Sequence, residues 1–377
     1  MDDIDKRNEI AAELNAPYTM HTATLKMSLT YRSMELIKEC MFEELDKNEN
    51  VTRYFKKKES ENKKSYNFLV TDKWGFNYVK IVNCRVRDYH HYWMEIKINP
   101  RAMMHSSEYP FVYVASKKDI EASIRRINQF WEEVGLSWVD SRMLYIHRID
   151  YCVNIDVKNE DAAMAYMRLM RKGAYPYKAK RMMEYSETGK RYIETKNSFT
   201  VKSSSFEFSI YNKYKQLMDE GEKYPADEIE RAKGIIRIEL RVYRNKVKNE
   251  EAKHGVGGAE EFLKDISLLA KENIPRYLAL AYGKGTFVTI QQAKKMIEAT
   301  GWKKKTKGTM KNMLKTVSRQ NLQNVREEYG EKFHYYMKKF DQLGISPITV
   351  ASNCAFIMMQ NPLYYIENNS ANNIAGS

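Results

Sequence analysis

Hydrophobic and polar positions alternate with a period of two in several runs of this chain. Over 146–156, IHRIDYCVNID, one set of alternating positions is Ile146, Arg148, Asp150, Cys152, Asn154 and Asp156, largely polar. The other set is His147, Ile149, Tyr151, Val153 and Ile155, largely apolar. Successive strand side chains point to opposite faces. The run therefore predicts a strand that buries one face and presents an arginine, two aspartates and an asparagine on the other. FEFSIYNK (206–213) puts Phe206, Phe208 and Ile210 on one face and Glu207, Ser209, Tyr211 and Lys213 on the other. GIIRIELRVY (234–243) sets Ile236, Ile238, Leu240 and Val242 inward, with Arg237, Glu239, Arg241 and Tyr243 outward. Strands are also predicted over 22–31, 77–86 and 92–99.

Helical periodicity separates these runs. A helix is predicted over 117–134, with Ser116 as cap and Ile120, Ile124, Ile127 and Phe130 as its apolar stripe. Others are expected at 32–46 and 159–172. The charged run KNENVTRYFKKKESENKKSY (47–66) reads as a hairpin tip or mobile loop, and 174–198 as loop or irregular hairpin. Strand, strand, strand, helix precedes residue 135, and strand, helix, strand, strand follows it. This order predicts an α+β fold with an antiparallel sheet core and flanking helices, in two related halves.

The three glycines of KHGVGGAEE (253–261) mark a boundary, after which helices dominate: 259–271, 274–282, 289–300, 308–328 and 329–343. The expected organisation is a tail at 1–21, an α+β domain at 22–252, an all-helical domain at 259–350 and a tail at 351–377. Thr289 caps one helix, Gly301 stops it, and Gly308 with Thr309 opens the next. The pair reads as a helix-turn-helix. Its turn and second helix carry Lys303, Lys304, Lys305, Lys307, Lys311 and Lys315 with no acid between them.

Net charge sharpens that picture. The 377 residues carry a formal +14, beyond what solubility alone asks for, and nucleic acid is the default polyanionic partner. The lysines would then meet phosphates. No apolar run approaches a membrane span. The polar N-terminus MDDIDKRNEI predicts no secretory signal, and four scattered cysteines without a CxxC pair predict reduced thiols in a cytoplasm. P-loop and GxSxG motifs are missing, and His90 and His91, being adjacent, are expected on opposite faces of a strand.

The polar strand faces supply the candidate chemistry. Asp150, Glu207 and Glu239 offer carboxylates that suit hard divalent ions, Mg²⁺ or Mn²⁺. A tyrosine hydroxyl such as that of Tyr211 could attack phosphorus, with Lys213, Arg148, Arg237 and Arg241 holding phosphate. Antiparallel sheets also commonly wet one face, where cross-strand Arg/Glu pairs are ordinary. Periodicity alone leaves both readings open. Phe206 and Phe208 fall on the apolar side, which argues against an exposed stacking platform on that strand.

RID at 148–150, IYNK at 210–213 and RIE at 237–239, in that order on successive strands, resemble the replication initiation factor family. This family comprises rolling-circle plasmid initiators and related relaxases of conjugative elements. LGISPITV (343–350) resembles tails of such proteins, so the likeness spans roughly 75–350. It implies a nicking-joining endonuclease acting at an origin in double-stranded DNA. One strand is cut through a covalent 5′-phosphotyrosine, leaving a 3′-OH primer. Asp150 and Glu239 match the family's acidic positions and would be metal ligands; Tyr211 and Lys213 match its Y-[DN]-K. Implied partners are the origin duplex and the nicked single strand, with room for a homodimer and a host helicase. A non-catalytic DNA-binding protein on the same scaffold is the alternative. One departure stands out: where the family carries its nucleophilic tyrosine, this chain has Phe199 and Thr200. The candidates for the attacking hydroxyl are Tyr192, Tyr211 and Tyr214.

Overall fold

The computed structural model describes residues 19–47, 51–54, 63–70, 74–104, 114–182, 184–185, 192–193, 196–219 and 224–366. The elements are β1 (Thr19–Leu29), α1 (Tyr31–Lys47), β2 (Val51–Tyr54), β3 (Lys63–Val70), β4 (Phe76–Val86), β5 (Tyr89–Ile98), α2 (Pro100–Met104), α3 (Lys117–Glu133) and β6 (Tyr145–Asp156). They continue with α4 (Glu160–Met170), β7 (Lys180–Arg181), β8 (Glu184–Tyr185), β9 (Tyr192–Ile193), β10 (Ser198–Lys202), β11 (Phe206–Asn212), α5 (Lys213–Asp219), α6 (Ala226–Arg231) and β12 (Ile235–Tyr243). Last come α7 (Arg244–His254), α8 (Gly258–Lys264), α9 (Ile266–Tyr282), β13 (Phe287–Val288), α10 (Ile290–Glu298), α11 (Lys304–Arg319), α12 (Leu322–Tyr329), α13 (Lys332–Gln342) and β14 (Met358–Met359). The fold is α+β, with a large antiparallel sheet.

The chain divides into two compact units. The first contains Tyr18–Cys152 and Arg241–Ala270; the second contains Val153–Leu240 and the chain from Lys271 onward. The division falls within β6 and β12, so each of these strands contributes to both units. The glycine-rich 253–261 lies wholly inside the first.

In the first unit the strands run β2-β3-β4-β5-β1-β6. Ser116 caps α3 as the sequence predicted, and Asp119 reciprocates by accepting from the Ser116 amide. Its stripe places Ile120, Ile124, Ile127 and Phe130 in the core. The rings of Trp74, Phe76 and Trp131 meet Phe130 edge-on, with centroids 4.8–5.4 Å away. Phe130→Ala removes the ring at the centre of this cluster and is expected to cost about 3–5 kcal/mol. A urea midpoint unchanged from wild type would contradict that.

A register irregularity separates β6 from the alternation its sequence suggests. Thr24 pairs with Arg148 but Leu25 pairs with Ile146, leaving His147 as an extra residue. Such a bulge inverts the alternation beyond it. Ile146 therefore joins the core, fully buried, although it belongs to the polar set by parity.

The polar set is also not solvated. Asp150, Cys152 and Asn154 are 1%, 0% and 3% exposed, while Arg148 and Asp156, which pairs with Lys158, keep part of their side chains in solvent. The solvated-face expectation for this strand fails because both of its faces are covered.

In the second unit the strands run β12-β11-β10-β7. Phe206 and Phe208 are buried beneath Tyr277 of α9, the nearer ring 4.8 Å away. Two helix boundaries differ from expectation. The expected break near Pro275 is replaced by one at Asp265, and α9 runs through Pro275. The lost hydrogen bond is offset by burial of Leu269, Ala270, Ile274, Leu278 and Ala281. The helix expected over 308–328 is cut at Gln320, because the Asn321 side chain caps a new helix by accepting from the Asn324 amide. Its start is Lys304, ahead of Gly308. The helical region also contains a short ladder, β13 on β14.

Candidate functional site

In the first unit, the centre is Asp150. Arg148 donates from Nε to Oδ1 at 3.0 Å and from Nη2 to Oδ2 at 2.8 Å. Thr22 donates to Oδ2 at 2.7 Å, and Arg241 donates from Nε to Oδ1 at 3.2 Å. The Asp150 side chain is only 2% exposed, while Arg148 and Arg241 keep 22% and 31% of theirs in solvent. The cluster thus sets two guanidinium groups against one carboxylate. Thr22 is opposite Asp150 in the register. Its alternation with Thr24 and Lys26 is visible in the sequence, but its partner is not.

On the same β1 face, Lys26 pairs with Glu95 of β5 at 3.1 Å, and Tyr78 of β4 donates to Glu95 at 2.6 Å. Burial pushes the Glu95 pKa up, but the Tyr78 hydroxyl and the Lys26 ammonium outweigh it and hold the group below the usual carboxylate range. Burial, with Lys26 next, pushes His147 down to about 4. This charge relay across β4, β5 and β1 was not read from the sequence. Its members are far apart in the chain and become neighbours only through the pairings Lys26↔Glu95 and Lys80↔Glu95.

In the second unit, Tyr211 donates its hydroxyl to Glu239 Oε1 at 2.7 Å. Both are half-buried, and the contact joins two of the strands that carry the motifs. Glu207 lies 3.5 Å from Lys202 across the hairpin. Lys213 is 5% exposed and donates to Gln216 at 2.8 Å, so it opens α5 rather than standing free on a strand face. Tyr214 is half-buried, with the ammonium groups of Lys215 and Lys233 at 5.0 and 5.5 Å from its ring. The backbone of Tyr192 pairs with Tyr185; its side chain lies outside the described residues. Phe199, where the family's tyrosine was expected, is a core residue 1% exposed beside Tyr175 and Tyr282. Thr200 donates to Ser209 at 3.0 Å.

Arg237 contradicts its assignment to a phosphate. It is completely buried and donates from Nε to Asn154 Oδ1 at 2.9 Å. A guanidinium is expensive to bury, and hydrogen bonds to a strand neighbour lower that cost. Its role is to join β12 to β6.

The lysine set divides. Lys303, Lys304, Lys305 and Lys315 are exposed on α11 and the turn before it. Lys307 donates to the Glu298 carbonyl at 2.7 Å, and Lys311 pairs with the Glu298 carboxylate. These two close the C-terminus of α10, where cations are favoured, and so tie the two helices together. Thr289 caps α10 as predicted, and Gln292 completes the box by accepting from the Thr289 amide.

Asp150 as arranged does not fit a divalent ion. Each of its oxygens already accepts from a guanidinium, which a divalent ion would have to displace. Among the described residues, no three histidine, cysteine, aspartate or glutamate side chains gather in a ligand set. Contact grouping assigns Asp150 to the first unit and Glu239 to the second.

No family model matches the chain, and no curated protein matches it. Among solved structures, a rolling circle replication initiator protein from Geobacillus stearothermophilus is similar at 10% identity, with a TM-score of 0.29, over 89% of this chain and 98% of its own. The di-domain ARO/CYC BexL from the BE-7585A biosynthetic pathway is similar at 8% identity, with a TM-score of 0.20, over 60% of this chain and 76% of its own. Scores of this size carry no functional argument. No helix among the described residues is long and apolar enough to cross a membrane.

Proposed function

We propose that this chain is a DNA nicking-joining protein of the rolling-circle initiator or relaxase type, with Tyr211 as the nucleophile. The observation that carries the reading is the 2.7 Å hydrogen bond from the Tyr211 hydroxyl to Glu239. A tyrosine is a weak nucleophile until a base accepts its proton, and a carboxylate at this distance can do so as the bond to phosphorus forms. The tyrosyl oxygen attacks phosphorus, the bond from phosphorus to the 3′-oxygen breaks, and that oxygen leaves with a proton. The product is a 5′-phosphotyrosine and a free 3′-OH. Phosphoester is exchanged for phosphoester, so the reverse step reseals the strand.

Exposed Lys303, Lys304, Lys305 and Lys315 supply duplex contacts. The step assigns no role to a metal ion, in keeping with the surroundings of Asp150.

The test is incubation of the full chain with supercoiled plasmid carrying the element's own origin, with and without Mn²⁺. Relaxed circles and a protein–DNA adduct that disappears in Tyr211→Phe are expected. If the adduct persists in Tyr211→Phe and disappears in Tyr192→Phe or Tyr214→Phe, the nucleophile is reassigned. If wild type forms no adduct while binding one duplex site with salt-sensitive affinity, the protein is a DNA-binding one without cleavage.

A further inference from the structure

The first unit holds a cleft of about 630 Å³ that the proposed strand-breaking step does not use. Its volume lies within the range of small-ligand sites. Three cations line it: Lys26 of β1, and Arg244 and Lys248 of α7. So do two aromatic residues on the Lys26 face of the sheet, Trp93 of β5 and Tyr145 of β6, placed there by their register with Ser28 and Lys26. No carboxylate is among its described lining residues. Glu95 and Glu251, which pair with Lys26 and Arg244, lie outside that lining.

Cations and rings are interleaved at close range. The Lys26 ammonium is 5.1 Å from the Trp93 ring centre, and the Arg244 guanidinium is 4.7 Å from that of Tyr145. His90 stacks on Tyr92 at 6.0 Å, with the planes 13° apart. Lys248 is exposed on the helix above. His147, the bulge residue, also lines the cleft and is neutral at physiological pH, offering one N–H and one lone pair. His90 and His91 are also among its lining residues. At the adjoining turn Arg85, Arg87 and Tyr89 are exposed, extending the basic, aromatic surface.

A simple anion would need the cations but not the rings, and an apolar ligand the reverse. Duplex DNA keeps its base faces stacked inside the helix and cannot offer them to Trp93 or Tyr145. An unpaired strand offers a flat base and a phosphate at every residue, the combination that rings interleaved with cations bind. We infer that this cleft is a binding site for single-stranded nucleic acid, which seats an unstacked base against Trp93 and Tyr145 with its flanking phosphate on Lys248. The choice of polymer rests on the DNA role proposed above; the requirement for a base joined to phosphates rests on the cleft alone.

The experiment titrates the full chain into a short fluorescein-labelled oligothymidylate and follows anisotropy. Lys248→Glu, at an exposed helical position, is expected to weaken binding about tenfold at low salt, with a shallower salt dependence. Trp93→Ala is expected to weaken it roughly five- to hundredfold, the loss of one stacking partner. The inference is overturned if neither cleft variant weakens binding, if thymidine monophosphate competes as well as the strand, or if a duplex of equal length binds with the same sensitivity to Lys248→Glu. A chain that binds the strand through the cleft but never cuts plasmid refutes the nicking function alone. One that cuts plasmid without binding oligothymidylate refutes only the cleft.

Discussion

Replacing Asp150 by asparagine is expected to destabilise the folded chain by about 3 kcal/mol, the largest effect expected of any single polar substitution here. The isosteric amide keeps the shape but removes the charge that Arg148 and Arg241 share. The amide nitrogen would also point donors at guanidinium or Thr22 donors. The figure is at the low end for breaking a buried ion pair because the arginines keep 22% and 31% of their side chains in solvent and relax toward it. Denaturant unfolding of Asp150→Asn and of Arg148→Met/Asp150→Asn measures this. The double variant is expected to recover part of the loss, since it removes one of the stranded cations. If Asp150→Asn unfolds at the wild-type midpoint or above it, the carboxylate is not a structural counter-ion. A direct role at a metal or substrate then regains priority.

The second large effect is on rate. Glu239→Gln is expected to slow single-turnover cleavage of an origin oligonucleotide by about 10²–10⁴-fold, the usual contribution of a positioned base. The amide oxygen still accepts from the Tyr211 hydroxyl, so geometry and duplex binding persist while proton acceptance is lost. The cleavage rate of the variant should then rise with pH toward the range where tyrosine ionises unaided, whereas the wild type should be flat there. Recovery of the lost rate by raising Mn²⁺ at constant pH would contradict the assignment, because it would make Glu239 a metal ligand rather than a base.

These two residues show how far alternation carries. Asp150 and Glu239 were legible as carboxylates on the polar side of two strands, and that is where they occur. What surrounds them was not legible. Thr22 lies 128 residues from Asp150 in the chain, and Arg241 is no different in sequence from the neighbouring Arg237. Yet Arg241 reaches Asp150 with a third of its side chain wet, while Arg237 is sealed against Asn154. Period-two reasoning cannot distinguish them because it assigns faces and does not say what covers a face.

The bulge at His147 is a second limit. One extra residue reverses parity and moves Ile146 from the polar set into the core. It also puts His147 among the residues of a basic, aromatic cleft. Bulges depend on the register of both strands. The lone isoleucine in the polar set was the only trace of this one in the sequence.

By itself, the sequence determined the period-two strands that carry Asp150, Tyr211 and Glu239, the helix caps at Ser116 and Thr289, and the basic character of α11. Each follows from local chemistry: side-chain period, a hydroxyl one residue ahead of a helix, a run of like charge. Only the tertiary structure decided which of those polar groups are bonded to one another. It placed Tyr211 on Glu239, closed two arginines and a threonine around Asp150, buried Phe199, and used Lys307 and Lys311 to join helices. The reason is physical. A strand face or a helix stripe fixes directions, but partners and burial come from strand register and from the elements packed above, which bring together residues distant in the chain.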